Sequence, residues 1–92
     1  MYFVYLLECR DGTYYTGITK NLNKRLIQHN NGTGSKYTRS RRPVKLIDSF
    51  KVENRSIASK YEARIKKLSH NQKLKFFKEM IDWVVCETTQ SI

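Results

Sequence analysis

No run of about eighteen apolar residues, the length needed to cross a bilayer, occurs in this 92-residue sequence, so no membrane span is expected. The apolar start MYFVYLLE has no basic segment before it and no small-residue cleavage site after it, so it does not read as a secretion signal. Cysteine is scarce. Cys9 and Cys86 share no metal-ligand spacing and offer no disulfide framework, which makes a reducing cytoplasm the expected compartment. Internal repeats, low-complexity tracts and linkers are absent as well. The length supports one domain with a modest core, because a chain this short keeps much of its surface in water. We assign residues 1–85 to that domain and residues 86–92 to a frayed C-terminal tail.

The scarcest charge is negative. Eighteen Lys and Arg stand against eight Asp and Glu, a formal net charge of +10, and no acid occurs between Gly12 and Ile47. A domain this basic expects a polyanionic partner. Within the acid-free stretch, Lys36, Tyr37, Arg39, Arg41 and Arg42 mix cations with hydroxyls and an aromatic ring, the groups that bind phosphate oxygens. With Lys20 they form the expected nucleic-acid-binding set. The plainer explanation is a solvated basic surface.

What is present organises readily. Tyr2 to Glu8 and Thr13 to Thr19 read as strands joined at Arg10-Asp11-Gly12. A two-residue turn there would put Tyr5 and Tyr15 on opposite faces. A three-residue loop with Gly12 left-handed would pair Leu7 with Tyr15 and Tyr5 with Gly17, and is favoured. Asn21 caps a helix that ends at Gly32, with Leu22 and Leu26 inward, His29 beside Leu22 and Arg25 at the margin. Gly32 to Pro43 is a basic loop with room for one helical turn. Val44 to Val52 is a third strand. Asn54 caps a helix with Ile57, Tyr61, Ile65 and Leu68 as its core stripe and Glu62 beside it. Ser69-His70-Asn71-Gln72 is a capping box opening a last helix. The expected class is α+β: a small three-stranded antiparallel sheet covered by helices, in the order β-β-α-β-α-α.

Two phenols, a guanidinium and an imidazole thus come from adjacent elements: Tyr5, Tyr15, Arg25 and His29. Phosphodiester hydrolysis needs an activated water and charge stabilisation at the phosphoryl oxygens, often with a divalent metal on a carboxylate. A tyrosine could position or deprotonate water, Arg25 could clamp phosphate, His29 could relay a proton and Glu62 could hold a metal. Singly, each has an ordinary explanation as core, rim or surface.

Together they resemble the GIY-YIG nuclease superfamily, over roughly residues 2 to 80. Phe3-Val4-Tyr5 stands at the first motif and Tyr15-Thr16-Gly17 at the second, with the ten-residue tyrosine spacing. Arg25, His29 and Glu62 stand at the family's arginine, histidine and metal-binding glutamate. The chain looks most similar to small single-domain bacterial members, the YhbQ-like group, and more distantly similar to the UvrC nuclease domain. The resemblance implies a divalent-metal-dependent DNA endonuclease, selective for branched or nicked structures, acting in repair or recombination with Mg²⁺ or Mn²⁺ on Glu62. It implies Tyr5 as base or water-positioner aided by His29, Tyr15 on the phosphate or the metal's water shell, and Arg25 on the phosphoryl charge. A phenol is a poor base at neutral pH, so its pKa is expected to be lowered by Arg25 and the metal. Phe3 replaces the first-motif glycine, and Ile18 stands where UvrC-related members carry lysine, with Lys20 or Lys36 as substitutes. Many members take specificity from a second domain. Its lack here implies weak cutting, a protein partner or a structured substrate. The alternative reading is a catalytically weak nucleic-acid-binding module, for DNA or RNA.

Overall fold

The computed structural model describes the backbone of residues 1–90 and side chains through Met80. Its elements are β1 (Tyr2–Glu8), β2 (Tyr14–Thr19), α1 (Leu22–Asn31), α2 (Lys36–Arg39), β3 (Lys45–Val52), α3 (Arg55–Lys66) and α4 (His70–Gln90). The sheet is three-stranded with order β2-β1-β3, both pairs antiparallel. This is the α+β architecture expected from the sequence, with α2 as the single turn inside the basic loop. The expected tail at 86–92 lies outside the residues whose side chains are described.

Strand β1 is central and covered on both faces, which is why it reads as an almost unbroken apolar run rather than an alternation. Val4 and Leu6 point to one face, where Phe50, Ala58, Ile65 and Phe77 complete a buried cluster under α3 and α4. Tyr5, Leu7 and Cys9 point to the other face and pack with Val44, Leu22 and Leu26. Each fully buried Leu, Ile or Phe contributes roughly 1.5–3 kcal/mol of transfer free energy. The core stripe of α3 is shifted from the expected one. Ala58 and Ile65, seven residues apart, are fully buried, while Ile57, Tyr61 and Leu68 are half-buried. A small Ala58 lets the helix approach the sheet, so the neighbouring Ile57 rotates toward the rim.

The loop after β1 settles which tyrosines share a face. Gly12 has φ 82°, in the left-handed region that favours glycine, and its N–H donates to Cys9 O at 2.9 Å. Asp11 Oδ1 accepts from the Thr13 N–H at 3.2 Å and from its hydroxyl at 2.6 Å. The resulting register pairs Leu7 with Tyr15 and Tyr5 with Gly17. Tyr5 and Tyr15 therefore share the α1 face. The helix caps sit where the sequence puts them. Asn21 Oδ1 accepts from Lys24 N at 3.0 Å, and Gly32 closes α1 at φ 86°. Ser69 N donates to Gln72 Oε1 at 3.0 Å and Gln72 N to Ser69 Oγ at 3.4 Å, which completes the capping box.

Candidate active site

Gly17 and Tyr5 define the site. β2 is the edge strand, and the Tyr5 ring lies across its cross-strand partner Gly17. A Cβ at Gly17 would collide with the phenol, reaching its Cζ at 2.6 Å. The missing side chain is what lets the Tyr5 hydroxyl extend over β2. The same device recurs at Gly34, where a Cβ would meet His29 Cγ at 2.8 Å.

Around the Tyr5 hydroxyl the side chains form one directed chain. Arg25 Nε donates to Tyr5 Oη at 3.4 Å, and Tyr5 Oη lies 2.9 Å from His29 Nε2. On the other side of the ring, His29 Nδ1 lies 2.8 Å from Thr38 Oγ1, and the Thr38 hydroxyl donates to Ser35 O at 3.3 Å. With the Thr38 hydroxyl donating to the Ser35 carbonyl, or to Ser35 Oγ at 3.0 Å, Thr38 accepts from Nδ1–H, and in that tautomer Nε2 is the acceptor facing the Tyr5 hydroxyl. His29 and Thr38 are fully buried and Tyr5 is 2% exposed. All three polar groups are satisfied, as buried polar groups must be.

Burial sets the charge states. It is the main cause that lowers His29 from its ordinary 6.5 to about 4, with the Arg25 charge adding to it. The imidazole is therefore neutral at physiological pH. Burial also raises the Tyr5 phenol. The Arg25 hydrogen bond and charge pull it down but do not prevail, while Tyr15 and Glu62 push it further up. Arg25 by itself thus does not lower the phenol, because removing the phenolate from water costs more than one guanidinium returns.

Tyr15 packs edge-on against the His29 ring at 5.3 Å and stacks on Tyr37 at 5.8 Å, and Arg41 sits over Tyr37 at 4.0 Å. A line of rings thus links the buried histidine to the basic loop. A profile of the GIY-YIG catalytic domain matches residues 1–75. The chain belongs to the GIY-YIG superfamily. Its relatives carry the family name UPF0213, so the relationship is to that family rather than to the YhbQ-like group in particular. The chain is 54% identical over 74 residues to a UPF0213 protein of Clostridium perfringens, covering 80% of each. It is 48% identical over 77 residues to one of Halobacterium salinarum, covering 84% of this chain and all of that protein. A solution NMR structure of an Enterococcus faecalis protein matches with a TM-score of 0.61 at 44% identity, covering 86% of this chain and 84% of that one.

In this GIY-YIG domain the remaining expected residues fall in three places. Glu62 is on α3, which packs on the opposite face of the sheet, yet its charge reaches Tyr5. Its carboxylate is half-buried and pairs with Lys66 at 3.7 Å. Among the described residues no group of three His, Cys, Asp or Glu could hold a metal. A single carboxylate nonetheless suits Mg²⁺, which keeps several waters and binds through one or two carboxylates and substrate phosphate. Lys20 lines a cleft of about 420 Å³ with Lys24 and Arg25, whereas Lys36, Tyr37, Arg39 and Arg42 are exposed on and after α2. Arg41 differs from its neighbours. It is engaged by Asp11 at 3.1 Å and by Tyr37 O at 2.9 Å.

Sequence reasoning missed Thr38, Gly34 and Gln28. Gln28 Oε1 accepts from Arg25 Nη1 at 3.2 Å, and Gly34 O from Nη2 at 3.5 Å. The one available signal was Ser35 three residues before Thr38. That spacing caps α2, with Ser35 Oγ accepting from Thr38 N at 3.2 Å, and so aims Thr38 inward.

Proposed function

We propose that this protein binds nucleic acid through its cationic α1–α2 side and is a weak, metal-dependent phosphodiesterase. The observation that carries the reading is the connected chain Arg25–Tyr5–His29–Thr38 beside Gly17, next to the basic loop after α1, which holds no acid. Arg25 has three of its five N–H groups engaged, which leaves two for a phosphoryl oxygen. Tyr5 takes a proton from an attacking water as it passes its own to His29 Nε2, and Thr38 fixes the tautomer that makes this transfer possible. A raised phenol facing a depressed imidazole means that no phenolate stands ready. The two transfers must be concerted, which supports slow turnover. Glu62 is the residue that would hold Mg²⁺ or Mn²⁺, completed by water and substrate oxygens. Such an ion, when bound, supplies Lewis-acid charge at the phosphoryl group.

A second reading is a structure-selective DNA endonuclease of repair or recombination. The full set Tyr5, Tyr15, Gly17, Arg25, His29 and Glu62 favours it. The test is incubation with flaps, forks, junctions, single strands and RNA, in Mg²⁺, Mn²⁺ or chelator. Slow metal-dependent nicking of all substrates supports the first reading. Fast nicking of one branched form supports the second. Binding without nicking reduces the protein to a nucleic-acid-binding module, and no binding overturns both. Glu62→Gln should abolish nicking and leave binding in Ca²⁺ intact. Its stability should stay within about 0.5 kcal/mol of wild type, because the Lys66 pair is solvent-screened.

A further inference from the structure

Around the C-terminal end of α1 lies a second cationic feature that the hydrolytic site does not use. Arg10, Asn30, Arg39, Ser40, Arg42 and Pro43 line an open concavity of about 430 Å³. Among the described residues it has three guanidinium groups and no carboxylate in its wall. The adjacent acids are engaged elsewhere, Asp11 with Arg41 at 3.1 Å and Glu8 with Lys45 at 3.3 Å. Like charges do not gather without a structural hold, and two of the three guanidinium groups have one. Arg39 Nε donates to Gly32 O at 3.1 Å. Arg42 Nε donates to Arg39 O at 2.9 Å, and Nη1 to Asn30 O at 3.4 Å. The Arg10 backbone is tied to the same loop by its N–H to Arg41 O at 2.9 Å, while its own guanidinium makes no hydrogen bond or ion pair among the described residues. Asn30 braces the floor, with its amide accepting from Val44 N at 2.8 Å and donating to Val44 O at 3.2 Å.

Backbone carbonyls thus hold the exposed Arg39 and Arg42 by only part of their donor set, and neither pairs with a carboxylate among the described residues. An internal phosphodiester offers two free oxygens and one negative charge. A terminal phosphomonoester offers three oxygens and nearly two charges, and matches three guanidiniums better. We propose that this concavity is a receptor for the terminal phosphate of a nucleic-acid strand. The inference rests on the nucleic-acid reading above and adds to it a preference for phosphorylated ends.

The test is anisotropy titration in chelator, where hydrolysis cannot intervene, with otherwise identical oligonucleotides bearing a 5′-phosphate, a 3′-phosphate or hydroxyl ends. Wild type should bind one phosphorylated form roughly tenfold more tightly than the hydroxyl form, the scale of a charge-assisted hydrogen bond. Which form wins identifies the end that is read. Arg10→Gln, which touches no structural hydrogen bond of its side chain, should reduce that preference several-fold while circular dichroism and melting stay as in wild type. Equal affinity for all three oligonucleotides, or a preference untouched by Arg10→Gln, overturns the proposal. Nicking with no end preference would retain the hydrolytic reading and remove the receptor. An end preference without nicking would do the reverse.

Discussion

The Tyr5 hydroxyl and His29 Nε2 lie 2.9 Å apart in the interior, one from the central strand and one from the last turn of α1. Burial of this pair, with the Arg25 charge beside it, couples the charge state of His29 to the protein's stability. The folded-state pKa of His29 is depressed from 6.5 to about 4. Between those values the unfolded chain binds a proton that the folded chain refuses. His29 therefore costs no stability above pH 6.5, and stability falls as pH drops from 6.5 toward 4. The loss attributable to this residue is at most on the order of 3 kcal/mol. Chemical denaturation at pH 7 and pH 4.5 should show a smaller decline in His29→Gln than in wild type. Equal declines would mean that the imidazole is readily charged in place.

Tyr5→Phe keeps the ring over Gly17 and removes only the hydroxyl. His29 Nε2 is then a buried acceptor without its donor, which costs about 1–3 kcal/mol. Hydrolysis should be lost, because no group remains to pass the water's proton to His29. Mn²⁺ binding at Glu62 and nucleic-acid affinity should persist. Melting curves, nicking and Mn²⁺ titration separate these effects. Retained nicking would reassign the base to Tyr15.

The two glycines of the hairpin should fail for different reasons. Gly12 has open space around it but φ 82°, so Gly12→Val costs on the order of 1 kcal/mol of backbone strain and leaves the site intact. Gly17 has ordinary backbone angles but no room. Gly17→Ala must displace the Tyr5 ring, and overpacking of this kind costs roughly 1–3 kcal/mol. Only Gly17→Ala should also lower hydrolysis. Equal hydrolysis in the two variants would show that the Tyr5 position over β2 is dispensable.

The cations should divide by their partners. Lys20 and Lys36 are exposed and make no ion pair among the described residues. Replacing either by alanine should lower the log–log salt slope of duplex binding by roughly 0.9. Arg41 is already neutralised by Asp11 and stacked on Tyr37. Arg41→Ala should change the slope less and instead loosen the basic loop, visible as faster amide exchange at residues 36–42. A full drop in slope for Arg41→Ala would place the phosphate path over Tyr37.

Local rules made much of this molecule legible. Aromatic and branched composition identified β1 and β2, the Asn21 side chain and the left-handed Gly32 fixed the ends of α1, and Gly12 in a three-residue loop set the register that brings Tyr5 opposite Gly17. These are interactions between residues close in the chain, where composition and spacing determine geometry. The membership of Arg25 and His29 in one site followed from helical spacing and from motif resemblance. Other features had no local signal. Thr38 was an unremarkable residue of a basic loop until folding placed it 2.8 Å from the imidazole. Arg10 was a turn residue until the loop after α1 came to rest beside it. Spacing also gave no sign of burial deep enough to raise Tyr5 and depress His29, a cost that Arg25 alone does not offset. The sequence alone determined which groups are available and on which elements they ride. Only the tertiary structure decided their protonation and their free donors, because desolvation and pairing depend on segments that meet from far apart in the chain.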